Sequence, residues 1–233
     1  MKIKKAMILC AGLGTRMESL TSKIPKPLLR IGNSSLLEKA INFLINYEIE
    51  ELVINTHYLA AQIENFVMSK KYNIKIILSN ERKELLDTGG GILFGTKDFK
   101  KDPFIVLNPD TLWSSKYINE LRLLEKMYFD TKKTSLLLVD KNMSHDKSFK
   151  GDFQLNEKNY VSRDEKNKYI YTGLQILDRS IFINQKKEKF SMNEIWNNLI
   201  ISKNLVGLKS NQKFYHLNTK TVYNELIKLE LTD

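Results

Sequence analysis

Directly after an apolar run, Ala11-Gly12-Leu13-Gly14-Thr15-Arg16-Met17 brings together two glycines, a hydroxyl and a planar cation. Glycines accept positive φ and close backbone approach, so such a loop can turn successive N–H groups toward an anion. Arg16 adds a charge that stays on at all physiological pH. A dinucleotide fingerprint needs a third glycine where Met17 stands, and a P-loop needs Gly-Lys-Ser/Thr, so neither pattern fits. Farther on, Pro25-Lys26-Pro27 holds one lysine between two residues of fixed φ, which suits a cation with a fixed target. Loop and lysine together predict polyphosphate chemistry.

Other segments carry weaker signals. Asn108-Pro109-Asp110 follows a buried-strand pattern, so Asp110 either caps the next helix or emerges at a crevice rim, where it would bind Mg²⁺. Leu86-Asp87-Thr88-Gly89-Gly90-Gly91-Ile92 reads as a glycine loop. No Ser-His-Asp or Cys-His constellation suggests itself, which argues for charge neutralisation and positioning rather than covalent catalysis.

AGLGTRM followed by PKPL resembles the signature of the sugar-1-phosphate nucleotidyltransferase family, and the resemblance runs over nearly the whole chain. It implies that a sugar 1-phosphate attacks a nucleoside triphosphate, releasing pyrophosphate. Arg16 and Lys26 would then be the catalytic cations. Ala11, Gly12, Gly14, Thr15, Asn55, Thr88 and Gly89 would bind the nucleotide, the glycine run leaving room for its base. Asp152, Thr172 and Gly173 would lie on the sugar side. Asp110 would hold Mg²⁺, with Mn²⁺ as a substitute.

The family's second metal carboxylate falls in a segment that aligns with Phe214-Tyr215-His216-Leu217-Asn218-Thr219, so His216 replaces an aspartate there and Asn218 a glycine. A neutral imidazole is a poorer ligand for Mg²⁺ than a carboxylate. His216 is nevertheless carried as a candidate metal ligand. His145 followed by Lys150-Gly151-Asp152-Phe153, Asn55 with His57, and the triple glycine are most similar to the branch acting on UTP and N-acetylmuramate 1-phosphate. A mannose-1-phosphate guanylyltransferase-like enzyme and a degenerate nucleotide-binding regulatory protein are the alternatives.

Positioning these residues requires an α/β frame. Apolar strand patterns at Lys4 to Leu9, Glu51 to Asn55, Ile74 to Leu78, Phe104 to Leu107 and Ser135 to Val139 alternate with helical spacings. Leu37, Ile41 and Leu44 form one such spacing, and Tyr117, Leu121 and Leu124 another. The alternation predicts a Rossmann-like, three-layer, mostly parallel sheet of the nucleotide-diphospho-sugar transferase type, with ligands beyond the carboxyl ends of its strands. Residues 141–176 read as a sugar-side insertion covering one sheet edge. The reading is otherwise one domain over 1–233.

Hydrophobic residues make up 42% and charged residues 27%, ordinary for a folded chain, and no stretch suits a bilayer or an export signal. The net charge of +10 favours anionic partners, yet the lysine clusters lack interleaved aromatics, so no nucleic-acid or membrane partner is expected. Cys10 is the only cysteine, consistent with a reducing compartment, and the expectation is a cytoplasmic monomer or small homo-oligomer.

Overall fold

A computed structural model of the chain describes residues 2–81 and 84–229. Seven strands form one sheet: β1 (Lys5–Leu9), β2 (Glu51–Thr56), β3 (Lys75–Asn80), β4 (Phe104–Leu107), β5 (Thr134–Asp140), β6 (Tyr169–Leu177) and β7 (Leu205–Ser210). Their order across the sheet is β7-β5-β6-β4-β1-β2-β3. All neighbours run parallel except β6, which is antiparallel to both β4 and β5. The chain winds outward from β1 through β2 to β3, then returns to place β4 on the other side of β1. Ligand crevices in open α/β sheets form at such a reversal.

Alternation along the strands divides the core. In β1, Ala6 and Ile8 join one apolar cluster while Met7 joins another; in β4, Ile105 and Leu107 oppose Phe104 and Val106. The first cluster is covered by α1 (Leu36–Asn46), α2 (Ala60–Ser69) and α4 (Tyr117–Thr131). The second is covered by α3 (Asp87–Gly95) and α5 (Met192–Ile201). A short α6 (Lys220–Leu226) packs Val222 and Leu226 onto Met17, Leu29 and Leu36. Fully buried side chains such as Leu121 and Leu124 each contribute about 1.5–3 kcal/mol. Helix α1 begins where the sequence signals it: Ser35 accepts the Glu38 N–H at 3.1 Å, in the Ser-x-x-Glu spacing of a capping box.

Two expectations are corrected. Residues 169–177 do not belong to an insertion at the sheet edge. They form β6, in the sheet interior, with Gln175 paired to Val106 on one side and Leu136 on the other. Only residues 141–168 leave the sheet, and they carry a two-stranded ribbon of Gln154–Leu155 with Val161–Ser162.

The glycine run is likewise a helix, α3, rather than a loop. Glycines are poor helix formers, so tertiary contacts must hold it. The N–H groups of Gly89 and Gly90 donate to Phe190 O at 2.9 and 3.0 Å, and a Cβ at Gly90 would lie 2.1 Å from Glu188 O. The absent side chains of Gly89 and Gly90 thus admit the 188–190 segment. Gly90→Ala is expected to cost about 1–3 kcal/mol despite its better helix propensity, lowering Tm by roughly 2–10 °C in a thermal melt.

Candidate active site

A crevice of about 460 Å³ opens at the carboxyl ends of β1 and β4. Ala11, Gly12, Gly14, Thr15 and Arg16 form one wall. Gly14 adopts φ 66°, and the Met17 N–H donates to its carbonyl at 2.9 Å as the loop turns into the short helix Thr15–Thr21. Arg16 is exposed and has no hydrogen bond or ion pair with a described residue. Asp87 and Thr88, at the start of α3, stand on the opposite wall. The Thr88 hydroxyl oxygen accepts the Met192 N–H at 2.9 Å, tying the starts of α3 and α5 together.

Lys26 and Asp110 meet on the crevice floor. The prolines work as their φ values require: Pro25 sits at φ −66°, and Lys26–Leu28 is a single tight turn in which the Leu28 N–H donates to Pro25 O at 2.8 Å. This directs Lys26 Nζ to Asp110 Oδ2 at 2.5 Å, with about a fifth of each side chain exposed. The Asp110 loop is clamped from several sides. The Asn108 N–H donates to Gly173 O at 2.8 Å, Trp113 Nε1 donates to Asn108 O at 2.8 Å, and the Leu217 N–H donates to Asp110 O at 2.7 Å. Burial pushes the Asp110 carboxyl up, but His216 and the Lys26 ammonium outweigh it and hold the group at about 2. Asp110 is therefore an anion at neutral pH.

His216 lies beside this pair, its Nδ1 3.6 Å from Asp110 Oδ1 and 3.3 Å from Thr111 Oγ1. The Thr111 hydroxyl donates to Thr172 O at 2.7 Å, so its oxygen must accept from the imidazole. The network assigns the proton to Nδ1. In this arrangement the nitrogen nearest Asp110 is thus a donor, its lone pair not turned toward Asp110 Oδ1. Phe214 stacks on the ring at 5.6 Å and Phe149 meets it edge-on at 5.8 Å.

Burial lowers the His216 pKa below its ordinary 6.5, Asp110 opposing this while Lys26 and Arg16 add to it. Below pH 6.5 the unfolded chain therefore takes up a proton that the native imidazole resists, so this group's contribution to stability is lost as pH falls. The drop in Tm between pH 7 and 5 is expected to be smaller in His216→Gln than in the unmodified chain. Equal drops would remove His216 from the acid response.

One atom of the crevice has the chemistry of a metal ligand. Asp110 Oδ1 is buried with no hydrogen-bond partner, an orphaned hard oxygen beside the phosphate-facing loop. Among the described residues no group of three or more His, Cys, Asp or Glu could hold a metal. One carboxylate oxygen, supplemented by substrate phosphates and water, is a donor set that Mg²⁺ accepts.

Several residues expected at the site turn elsewhere. Asn55 lines the crevice but spends its side chain on Cys10 N and Glu81. Gly89 is buried under Phe190. Thr172 is 1% exposed and donates its hydroxyl to Leu137 O at 2.9 Å. Gly173, at φ 92°, makes room for the Asn108 side chain, since a Cβ would lie 2.8 Å from Asn108 Cβ. Asp152 is exposed, and its Oδ2 accepts the Tyr171 N–H at 2.9 Å. Of the sugar-side trio, only Asp152 keeps a polar group accessible to a ligand.

The structure also brings in residues that the motifs did not assign. Asn108 lines the crevice at the end of β4, a position the strand pattern itself marks. Asn218 lines it too, donating to Asp146 Oδ2 at 2.7 Å while its own Oδ1 stays buried and unpartnered. No helix among the described residues is long and apolar enough to cross a membrane.

Comparison with known proteins agrees with this geometry. Residues 5–148 match the nucleotidyl transferase family. The chain is 35% identical over 113 residues to the N-acetylmuramate alpha-1-phosphate uridylyltransferase of Caulobacter vibrioides, a match covering 47% of each protein. It is 32% identical over 196 residues to the D-glycero-alpha-D-manno-heptose 1-phosphate guanylyltransferase of Campylobacter jejuni, covering 82% of this chain and 83% of that one. The first match thus spans about half of its relative, the second most of it. The fold is shared with the UDP-glucose pyrophosphorylase of Acinetobacter baumanii at a TM-score of 0.79 and 17% identity, covering 97% of this chain and 92% of that one. The chain belongs to the nucleotidyl transferase family.

Proposed function

We propose that the chain transfers a nucleoside monophosphate from UTP to N-acetylmuramate 1-phosphate, releasing pyrophosphate. The observation that carries nucleotidyl transfer is the Lys26–Asp110 pair, 2.5 Å apart on the floor of a crevice walled by the Gly12–Gly14 loop. The similarity to the Caulobacter uridylyltransferase supports the choice of base and sugar.

In this reading an oxygen of the sugar 1-phosphate attacks the α-phosphorus. The new P–O bond forms as the bond to the bridging oxygen of pyrophosphate breaks, and that oxygen leaves with the electron pair. The nucleophile is already ionised, so no general base is needed. The chain's tasks are to hold two anions that repel each other and to offset their charge. Backbone N–H groups of the Gly12–Gly14 loop and Arg16 serve the triphosphate, while Lys26 serves the reacting phosphoryl groups. Asp110 Oδ1 would hold Mg²⁺, whose positive charge polarises the phosphate oxygens.

A second reading is guanylyl transfer to a heptose 1-phosphate, favoured by the similarity over 82% of the chain to the Campylobacter enzyme. Pyrophosphate release measured across UTP, GTP, CTP, ATP and dTTP, each with N-acetylmuramate, heptose, mannose and glucose 1-phosphates, separates the two. The proposal expects UTP with N-acetylmuramate 1-phosphate to give the largest kcat/KM. Preference for GTP with heptose 1-phosphate would replace it with the second reading.

A further inference from the structure

Three hydrogen bonds run in series beneath the crevice. The Cys10 N–H donates to Asn55 Oδ1 at 2.7 Å, Asn55 Nδ2 donates to Glu81 Oε1 at 2.7 Å, and Glu81 Oε2 accepts the Leu86 N–H at 3.0 Å. Cys10 opens the loop that forms one wall of the crevice, and Leu86 immediately precedes the α3 residues Asp87 and Thr88 that form the other. Asn55 and Glu81 are each 3% exposed, and the Glu81 N–H is fixed to Thr56 O at 2.8 Å. Gly91 closes over the pair: a Cβ there would lie 2.8 Å from Glu81 Oε1 and 2.9 Å from Asn55 Nδ2. The third glycine of the run is thereby explained by this contact, as the first two are by the 188–190 segment.

We infer that Glu81, acting through Asn55, is a positioning residue that sets the spacing between the two walls of the crevice and so governs triphosphate binding. The inference rests on the nucleotidyl-transfer reading. Its logic is one of hydrogen-bond polarity. Cys10 and Leu86 both present donors, so the two side chains between them must show an acceptor outward at each end and share a single donor in the middle. One amide and one carboxylate meet that demand, in either order. Two amides set a donor against a donor, and two carboxylates leave no proton between them.

Glu81→Gln and Asn55→Asp each keep side-chain length and break the series. The double substitution Asn55→Asp/Glu81→Gln keeps the net charge and restores the series with its middle bond reversed. Each single change is expected to raise the KM for the triphosphate by about 10-fold or more, as an unpaired buried donor or a repelling pair of acceptors should. The KM for the sugar 1-phosphate should stay near its starting value. The double variant should return to within about 3-fold of the unmodified chain, far better than the product of the two singles predicts.

A double variant as impaired as that product overturns the inference. Where a single variant does not fold, recovery of folding in the double supports the series and its continued failure counts against it. Absence of turnover in the unmodified chain sinks the activity reading alone, and the same four-protein comparison is then read from UTP and GTP affinities by calorimetry. Failure of the unmodified chain to bind either triphosphate overturns both.

Discussion

Lys26→Met is expected to slow turnover by about 10²–10³-fold while leaving the fold intact, an effect typical of removing one group that offsets transition-state charge. Methionine keeps most of the lysine stem, which is largely buried, and deletes only the ammonium that meets Asp110 at 2.5 Å. The loss should appear in kcat, because the charge to be offset grows as the bond to pyrophosphate breaks. Steady-state kinetics, with circular dichroism as the folding control, checks this. An unchanged kcat would remove Lys26 from the reaction.

Asp110→Asn should be at least as damaging, by about 10²–10³-fold or more, and should also weaken Mn²⁺ binding in a titration followed by electron paramagnetic resonance. Asparagine preserves shape but removes the negative charge, so any metal held by Oδ1 loses the anionic ligand that Asp110 supplies. The same substitution has a signature independent of activity. The native carboxyl titrates at about 2, below its ordinary 3.8. Its ionised form therefore stabilises the native state above pH 3.8, and that contribution is lost as pH falls from about 4 toward 2. Asp110→Asn should lose less stability across this window than the unmodified chain. Intact Mn²⁺ binding would show that the metal lies elsewhere.

The sheet and its helices were legible in the sequence because their apolar spacings are long and unambiguous. The reading of Leu37, Ile41 and Leu44 as one helix face, and of Phe104 to Leu107 as a buried strand, matches the structure. The place of β6 was not legible. A strand buried on both faces looks the same in sequence at a sheet's edge and at its centre, and its reversed direction is set by pairing with β4 and β5. The glycine run misled for a related reason: local propensity argues against a helix, and the contacts with Glu188 and Phe190 that override it come from far along the chain.

At the site, the glycine loop, Arg16, Lys26 and Asp110 converge because each sits at or near a strand end or in a proline-fixed turn, features that sequence displays. Asn55, Thr172 and Gly173 carry the residue types of ligand contacts, but their polar groups or open space are taken up by Glu81, Leu137 and Asn108. A single sequence displays side-chain types, not the direction each one takes. Glu81, which matters most to Asn55, gave only the faint signal of an acidic residue just beyond an apolar strand.

The central claim, displacement at the α-phosphorus in this crevice, is tested most directly by following label from the triphosphate. UTP labelled at its α-phosphorus or at its γ-phosphorus is incubated with N-acetylmuramate 1-phosphate, Mg²⁺ and the unmodified chain. The account predicts α-label in the nucleoside diphosphate sugar and γ-label in pyrophosphate, in equal molar amounts. Label released as orthophosphate, or α-label retained in free UMP, would show hydrolysis and contradict it.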